Sequence, residues 1–362
     1  MHFEGWPKPL IDETFASWLF RAAHSKNCLS FNSDQGEMYY DDSEDPDFDL
    51  YSAAFDRVCD AGGLKKELIR SYFKPRASLL SHPLHRFSFC RMCIREDIVN
   101  IGMPAWRKSW CYITAPYCLR HGCLLIVMED DPTFYKPWEA FATEVGSAPL
   151  FAYSRRWGGV PSKIPSAEIG MRIQKWLAGL DTAEWFTLSG QPELVSTSLL
   201  KNITILTMQI LLSCRIVARS AGPARALYCD GREPIVHERL TYKESMNLGA
   251  VTASPYERMI ALLMISCIFG LSDENEKSTM ASAFRASGYR WLSDARQIGS
   301  LVPGFYSEQE YLEILDLFSA APYLNNECLL SFIEGFEDAA YRNNVFSYAK
   351  MKAWRIQRRL RR

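Results

Sequence analysis

Phe89 to Leu125 reads FCRMCIREDIVNIGMPAWRKSWCYITAPYCLRHGCLL. Cys90 and Cys93 form a C-x2-C pair, and Cys118 and His121 form a C-x2-H pair further along the same stretch. Two short pairs joined by one loop make the pattern a tetrahedral Zn²⁺ site requires. Each turn aims two side chains at one point, and the loop brings the second pair round. Thiolate and imidazole donors suit Zn²⁺, whereas a carboxylate set would indicate Mg²⁺ or Ca²⁺. The expected ligands are therefore Cys90, Cys93, Cys118 and His121, and the expected cofactor is one structural zinc ion. Four protein ligands close the coordination sphere and leave no place for a catalytic water, which argues against a zinc hydrolase. His82 and His85 lie nearby but fit the paired spacing less well. Cys111 and Cys123 read as small core residues. Trp106 and Trp110, four residues apart, are expected to pack a short helix over the zinc.

On the N-terminal side, Pro7 and Pro9 indicate an extended arm. Asp12 is the expected N-cap of a helix with Glu13 in its first turn. Phe15, Trp18, Leu19, Ala22 and Ala23 then mark one apolar face. Residues 33–49 are crowded with Asp and Glu. They lack the order of a Ca²⁺ loop, so a solvated acidic loop is expected, one that would repel a phosphate backbone. Leu50 to Asp60 reads as a helix with Leu50, Ala54, Phe55 and Val58 inward. Ala61-Gly62-Gly63 reads as a turn, and Leu64 to Phe73 as a second helix with Leu64, Leu68, Ile69 and Tyr72 inward. This is a helix-turn-helix outline, although any helical hairpin gives the same pattern. Lys65, Lys66, Arg70, Lys74 and Arg76 lie on or just beyond the second helix and are candidate phosphate contacts.

On the C-terminal side, Glu129 to Pro132 and the Pro137-Trp138 region read as a linker or irregular loop. No cysteine lies between Cys123 and Cys214, which leaves no thiols there for a second zinc cluster. Tyr153 to Pro165 is basic and aromatic. Its Arg155 and Arg156 are candidate nucleic-acid or partner contacts, with a plain surface loop as the alternative. From Ser166 onward the pattern is helical. Ile169, Ile173, Trp176, Leu177 and Leu180 share one face, and Ile203 to Val217 and Tyr256 to Leu271 read as largely buried helices. Glu310 to Ala320 and Cys328 to Phe336 continue the pattern. Met280 to Ala286, a turn at Ser287-Gly288 and Tyr289 to Ala295 give a second helix-turn-helix outline. The end of the chain carries Lys350, Lys352, Arg355, Arg358, Arg359, Arg361 and Arg362. Such a tail suits nucleic acid or an acidic protein surface, or it is a helix end with dipole-favoured charges.

A length of 362 residues suggests two or three domains. The expected fold is mainly α. An N-terminal helix-turn-helix domain spans residues 1–80 and a zinc module 81–130. A linker follows over 131–165, then a helical C-terminal domain with a basic tail over 166–362. Hydrophobic residues make up 48% and charged residues 23%, as in a soluble globular protein. The net charge of −1 means that any nucleic-acid surface is local. The N-terminus has no signal-peptide pattern, and the apolar runs Asn202 to Cys214 and Met259 to Ser272 are shorter than the ~20 residues of a membrane span. Eleven cysteines without an export signal suggest a reducing compartment. A cytoplasmic protein with no membrane partner is expected. No catalytic triad, phosphate-binding Gly-rich loop or carboxylate metal cluster stands out. An enzyme is not expected, and a lone thiol such as Cys59 or Cys229 is the one alternative.

Asp12-Glu13-Thr14, Ser17-Trp18-Leu19 and Arg21-Ala22 resemble the opening P-x-x-D-E-[ST]-x-x-S-[WF]-[LF]-x-R-x-A of the TniQ/TnsD family. Phe89-Cys90-x2-Cys93, Trp106, Trp110 and Tyr117-Cys118-x-Arg120-His121-Gly122-Cys123-Leu124-Leu125 are similar to that family's zinc module. The resemblance covers roughly residues 7 to 125. It implies a non-enzymatic adaptor that selects target sites for DNA transposition, with an N-terminal helix-turn-helix domain at Leu50 to Phe73. The implied partners are the AAA-ATPase regulator that loads the transposase and, in CRISPR-associated transposons, an RNA-guided effector complex with its guide RNA. Some members act as homodimers. Longer members read an attachment site in DNA directly. This chain lacks their second zinc cluster and large C-terminal extension and carries the acidic 33–49 loop. Those departures favour the adaptor over a sequence-specific DNA-binding protein.

Overall fold

The computed structural model describes residues 6–25, 45–128, 135–146, 166–187, 194–217, 219–227, 235–286, 288–305 and 307–342. Most of the acidic stretch, the loop with Arg155 and Arg156, and the tail with Arg358, Arg359, Arg361 and Arg362 lie outside them. The fold is mainly helical and divides into two compact units. One comprises Met1–His121 with Leu125–Ala148, the other Gly122–Leu124 with Pro149–Arg362.

The first unit begins with α1 (Phe15–Ala23), which is capped by Thr14 rather than Asp12. Asp12 sits in the left-handed region at φ 64°. Its backbone carbonyl accepts from Lys108 N at 2.7 Å and its carboxylate from Ser109 N at 3.0 Å. A long-range partner thus takes the carboxylate that the sequence suggests for capping, and Thr14 Oγ1 accepts from Ser17 N instead. Two further helices, α2 (Ala53–Ala61) and α3 (Lys66–Phe73), follow. Between them Gly63 adopts φ 60°, a conformation that favours glycine. Phe15, Trp18 and Ala22 of α1 close over Leu50, Phe55, Val58, Cys59, Ile69 and Phe73 in one core. Phe15 lies 5.1 Å from Phe55 and 5.4 Å from Phe73 between ring centroids. The inward face of α3 differs from expectation. Phe73 is buried while Tyr72 is exposed, its hydroxyl donating to Pro9 O at 3.2 Å. The helix begins at Lys66, and Ile69 and Phe73 are its i, i+4 pair.

Strand β1 (Ser88–Phe89) leads directly into α4 (Arg91–Ile101). Strands β2 (Tyr117–Cys118), β3 (Cys123–Leu124) and β4 (Ile126–Val127) follow, and β4 pairs antiparallel with β1. Trp106 and Trp110 are buried with perpendicular rings 5.1 Å apart, and Trp110 lies in a 3-10 turn, Lys108–Cys111. Within the stretch expected to be irregular, Lys136–Gly146 forms helix α5.

The second unit holds α6 (Ser166–Gly179), the antiparallel hairpin β5 (Trp185–Thr187) and β6 (Leu194–Ser196), α7 (Thr197–Leu211) and α8 (Pro223–Ala226). It continues with α9 (Tyr242–Thr252), α10 (Pro255–Ile268), α11 (Glu274–Ala286), α12 (Ala295–Ser300), α13 (Glu308–Leu317) and α14 (Glu327–Arg342). Every residue of α10 is buried, because α6, α7, α8, α12 and α14 all pack on it. A helix apolar on all sides is a core helix. Its start is fixed by a capping box between Ser254 and Glu257. Tyr289 to Asp294 is not helical, so the second helix-turn-helix outline does not form there. Among the described residues no single helix is long and apolar enough to cross a membrane. Only α9 and α10 together reach that length, and they are bent by 116°.

Candidate metal centre

The start of α4 and the end of β2 bring the two ligand pairs together. Cys90 is the N-cap of α4 and Cys93 lies in its first turn, so both thiols leave the same end of the helix. Cys118 ends β2, and His121 follows in the next turn. The ligand atoms of Cys90, Cys93, Cys118 and His121 all lie within 4.8 Å of one another. His121 Nδ1 is 3.3 Å from Cys90 Sγ, 3.3 Å from Cys93 Sγ and 3.5 Å from Cys118 Sγ, and the Cys93 and Cys118 sulfurs are 3.7 Å apart. A tetrahedral Zn²⁺ site with ordinary bond lengths has edges of roughly 3.8 Å between sulfurs and 3.6 Å between sulfur and nitrogen. The donor set therefore fits such an ion in size as well as in chemistry.

The electrostatics point the same way. The Cys118 and Cys90 sulfurs, and then burial, hold the Cys93 thiol well above its ordinary pKa. The Cys118 thiol is raised as well, first by Cys90. Packed thiols resist ionisation because each thiolate repels the next in a site with little water. A divalent cation at their centre reverses that balance. The cluster can hold a metal ion.

Glu96 stands behind His121, with Oε1 at 3.0 Å from Nε2. Sequence reading passed over this residue, and the available signal was its position three after Cys93. His82, His85, Cys111 and Cys123 lie outside the cluster.

A buried polar lock ties α1 to the segment between the ligand pairs. Glu13 is 1% exposed. Its carboxylate accepts from Arg21 Nε and Nη2 at 2.7 and 2.6 Å, from Leu10 N at 2.8 Å and from Ser17 Oγ at 3.1 Å. Ser17 Oγ in turn accepts from Trp106 N at 2.9 Å, and Thr14 N donates to Trp106 O at 3.0 Å. On α4, Asp97 pairs with Arg107 at 2.5 Å and accepts from Ala105 N. Lys108 is buried and donates through Nζ to Phe73 O at 3.0 Å, closing the end of α3. The Asp12-Glu13-Thr14, Ser17 and Arg21 positions are thus packing and hydrogen-bonding positions.

The candidate phosphate contacts are differently placed. Lys66 Nζ lies 3.0 Å from Asp60 and 3.5 Å from Asp56. Arg70 lies 2.9 Å from Asp56, donates to Leu50 O at 2.9 Å and covers the Tyr51 ring at 4.6 Å. Both cations are turned back onto their own unit. Lys65, Lys74 and Arg76 are exposed.

Residues 5–125 match the family model named TniQ. Neither a curated protein nor a solved structure matches the chain. The match takes in both the lock around Glu13 and the Cys90, Cys93, Cys118, His121 cluster, so residues 5–125 are a TniQ domain.

Proposed function

We propose that this chain is a non-enzymatic adaptor of DNA transposition. A TniQ domain carries a transposition-associated, target-selecting role. In this reading the chain links a target-recognition complex to the AAA-ATPase regulator and so to the transposase. Candidate partners are an RNA-guided CRISPR effector with its guide RNA and a second copy of this chain, and the adaptor acts in the bacterial cytoplasm. Its cluster holds one structural Zn²⁺, with Cys90, Cys93, Cys118 and His121 as ligands. Exposed Lys65, Lys74 and Arg76, with Arg155, Arg156 and the tail arginines, supply secondary DNA-backbone contacts.

The observation that favours an adaptor over an autonomous DNA reader is the internal pairing of Lys66 and Arg70 with Asp56 and Asp60. A recognition helix whose cations are neutralised by its own unit offers a phosphate backbone less charge. Affinity capture of the tagged chain tests the reading, with RNA sequencing and protein identification of what co-purifies. Recovery of a guide RNA and of the ATPase regulator supports it. Tight, sequence-dependent binding to an attachment-site duplex by the chain alone would overturn it in favour of direct recognition.

A further inference from the structure

His121 presents its two ring nitrogens to different chemistry. Nδ1 faces the sulfurs of Cys90, Cys93 and Cys118, and Nε2 faces Glu96. A neutral imidazole carries its proton on one nitrogen only. For Nδ1 to offer a lone pair to a cation, the proton must sit on Nε2, and Glu96 Oε1 accepts it at 3.0 Å. The other oxygen of Glu96 lies 2.6 Å from Arg120 Nη2. The sequence builds this arrangement from two short pieces. Glu96 follows Cys93 by one helical turn on α4, so the two side chains rise from one face. Arg120 immediately precedes His121, so the imidazole and the cation that anchors its carboxylate come from adjacent residues.

We propose that Glu96 is the positioning residue of His121, fixing Nδ1 as the ligating nitrogen, and that Arg120 holds Glu96 in place. This rests on the reading that the Cys90, Cys93, Cys118, His121 cluster holds Zn²⁺. A carboxylate on the outer nitrogen orients the ring and raises its basicity toward a metal, and losing such a partner typically weakens metal affinity roughly 10–100-fold. The rival view is an ordinary surface ion pair. The Arg120 side chain is 60% exposed, and an isolated pair of that kind contributes little. The two views differ in what happens to metal binding when the carboxylate is removed.

The test uses the full chain, with Co²⁺ uptake followed by thiolate-to-metal absorption and Zn²⁺ affinity measured by competition with a chromophoric chelator. Unaltered protein is expected to take up one equivalent. Glu96→Ala should lower Zn²⁺ affinity roughly 10–100-fold while keeping the thiolate absorption. Glu96→Gln, whose amide oxygen still accepts from Nε2–H, should keep most of the affinity, and Arg120→Ala should lose a smaller part. Nitrogen-15 spectra of the histidines should assign Nδ1 of His121 to the metal. Glu96→Ala with unchanged affinity, or ligation through Nε2, overturns the proposal. Unchanged affinity in Arg120→Ala removes Arg120 from it. If the unaltered chain takes up no metal, the zinc reading fails as well, an outcome distinct from the others.

Discussion

Arg21 grips Glu13 with two parallel hydrogen bonds, Nε to Oε1 at 2.7 Å and Nη2 to Oε2 at 2.6 Å, and the side chains are 6% and 0% exposed. The pair sits where α1 meets the backbone of Trp106. Removing one partner of a buried pair leaves an uncompensated charge, which typically costs about 3–5 kcal/mol. Arg21→Met should therefore destabilise the N-terminal unit by that amount in urea unfolding. The double change Glu13→Gln with Arg21→Met should recover a large part of it. Equal loss in the single and the double variant would show that packing, not the stranded carboxylate, dominates.

Short-range patterns made the metal cluster legible, because C-x2-C and C-x2-H fix their geometry within one turn each. The core faces of α1 and α2 were legible for the same reason: Phe15, Trp18 and Ala22, and Ala54, Phe55 and Val58, follow helical spacing. Residues whose fate depends on distant partners were not legible. Asp12 looks like a cap until the backbone of Lys108 and Ser109 claims it. Lys66 and Arg70 look like phosphate contacts until Asp56 and Asp60 are seen beside them. Tyr289 to Asp294 has helix-compatible residues, yet Asp294 caps α12 and helix formation begins only at Ala295. Glu96 carried a usable signal at Cys93+3, but its meaning needed His121 in place.

Metal removal should act on the first unit. Chelation, or Cys118→Ser, should abolish metal uptake and raise amide hydrogen exchange across residues 88–128, because the ion supplies stability that so small a segment cannot draw from apolar area. Cys123→Ser should keep the metal content, since Cys123 lies outside the cluster. Metal loss in Cys123→Ser alone would mean that the ligand set is wrong.

Lys108 provides a pH test. Burial holds its ammonium below the ordinary lysine pKa, against the pull of Asp12 and Asp47. The folded state therefore binds fewer protons than the unfolded state between the depressed folded value and about 10.4. Stability contributed through this group should rise as pH rises across that window and fall as pH drops through it. Lys136, also lowered by burial, adds a slope of the same sign. Unfolding free energies between pH 7 and 10 should show a shallower rise in Lys108→Met and a shallower one still in Lys108→Met/Lys136→Met. An unchanged slope in both would show that neither ammonium is desolvated in solution.

In the second unit α12 and α14 cross closely through Gly299 and Gly335. A Cβ on Gly299 would collide with the carbonyl of Phe332, and one on Gly335 with the carbonyl of Arg296. Backbone cannot yield as a flexible side chain does, so Gly335→Ala should cost about 1–3 kcal/mol as an overpacking defect. Gly179→Ala meets nothing within 4 Å and serves as the control. Differential scanning calorimetry should show the loss for Gly335→Ala and little change for Gly179→Ala.

If α3 contacts DNA, the pairing of Lys66 and Arg70 makes that binding adjustable in a defined direction. Asp56 touches both cations, and Asp60 touches Lys66. Changing both acids to Asn leaves the two cations in place and removes the charges that neutralise them. Each added phosphate contact steepens the dependence of log affinity on log salt by roughly 0.9. If the exposed side of α3 can lie along a duplex, Asp56→Asn/Asp60→Asn should bind nonspecific DNA more tightly at low salt, with a slope steeper by about 1.8. Lys66→Ala/Arg70→Ala should leave any DNA binding by the unaltered chain nearly unchanged, because those cations already face Asp56 and Asp60. Mobility shifts across a salt series measure both. A large loss on removing Lys66 and Arg70 from the unaltered chain would place them on the DNA after all and shift the balance toward direct recognition.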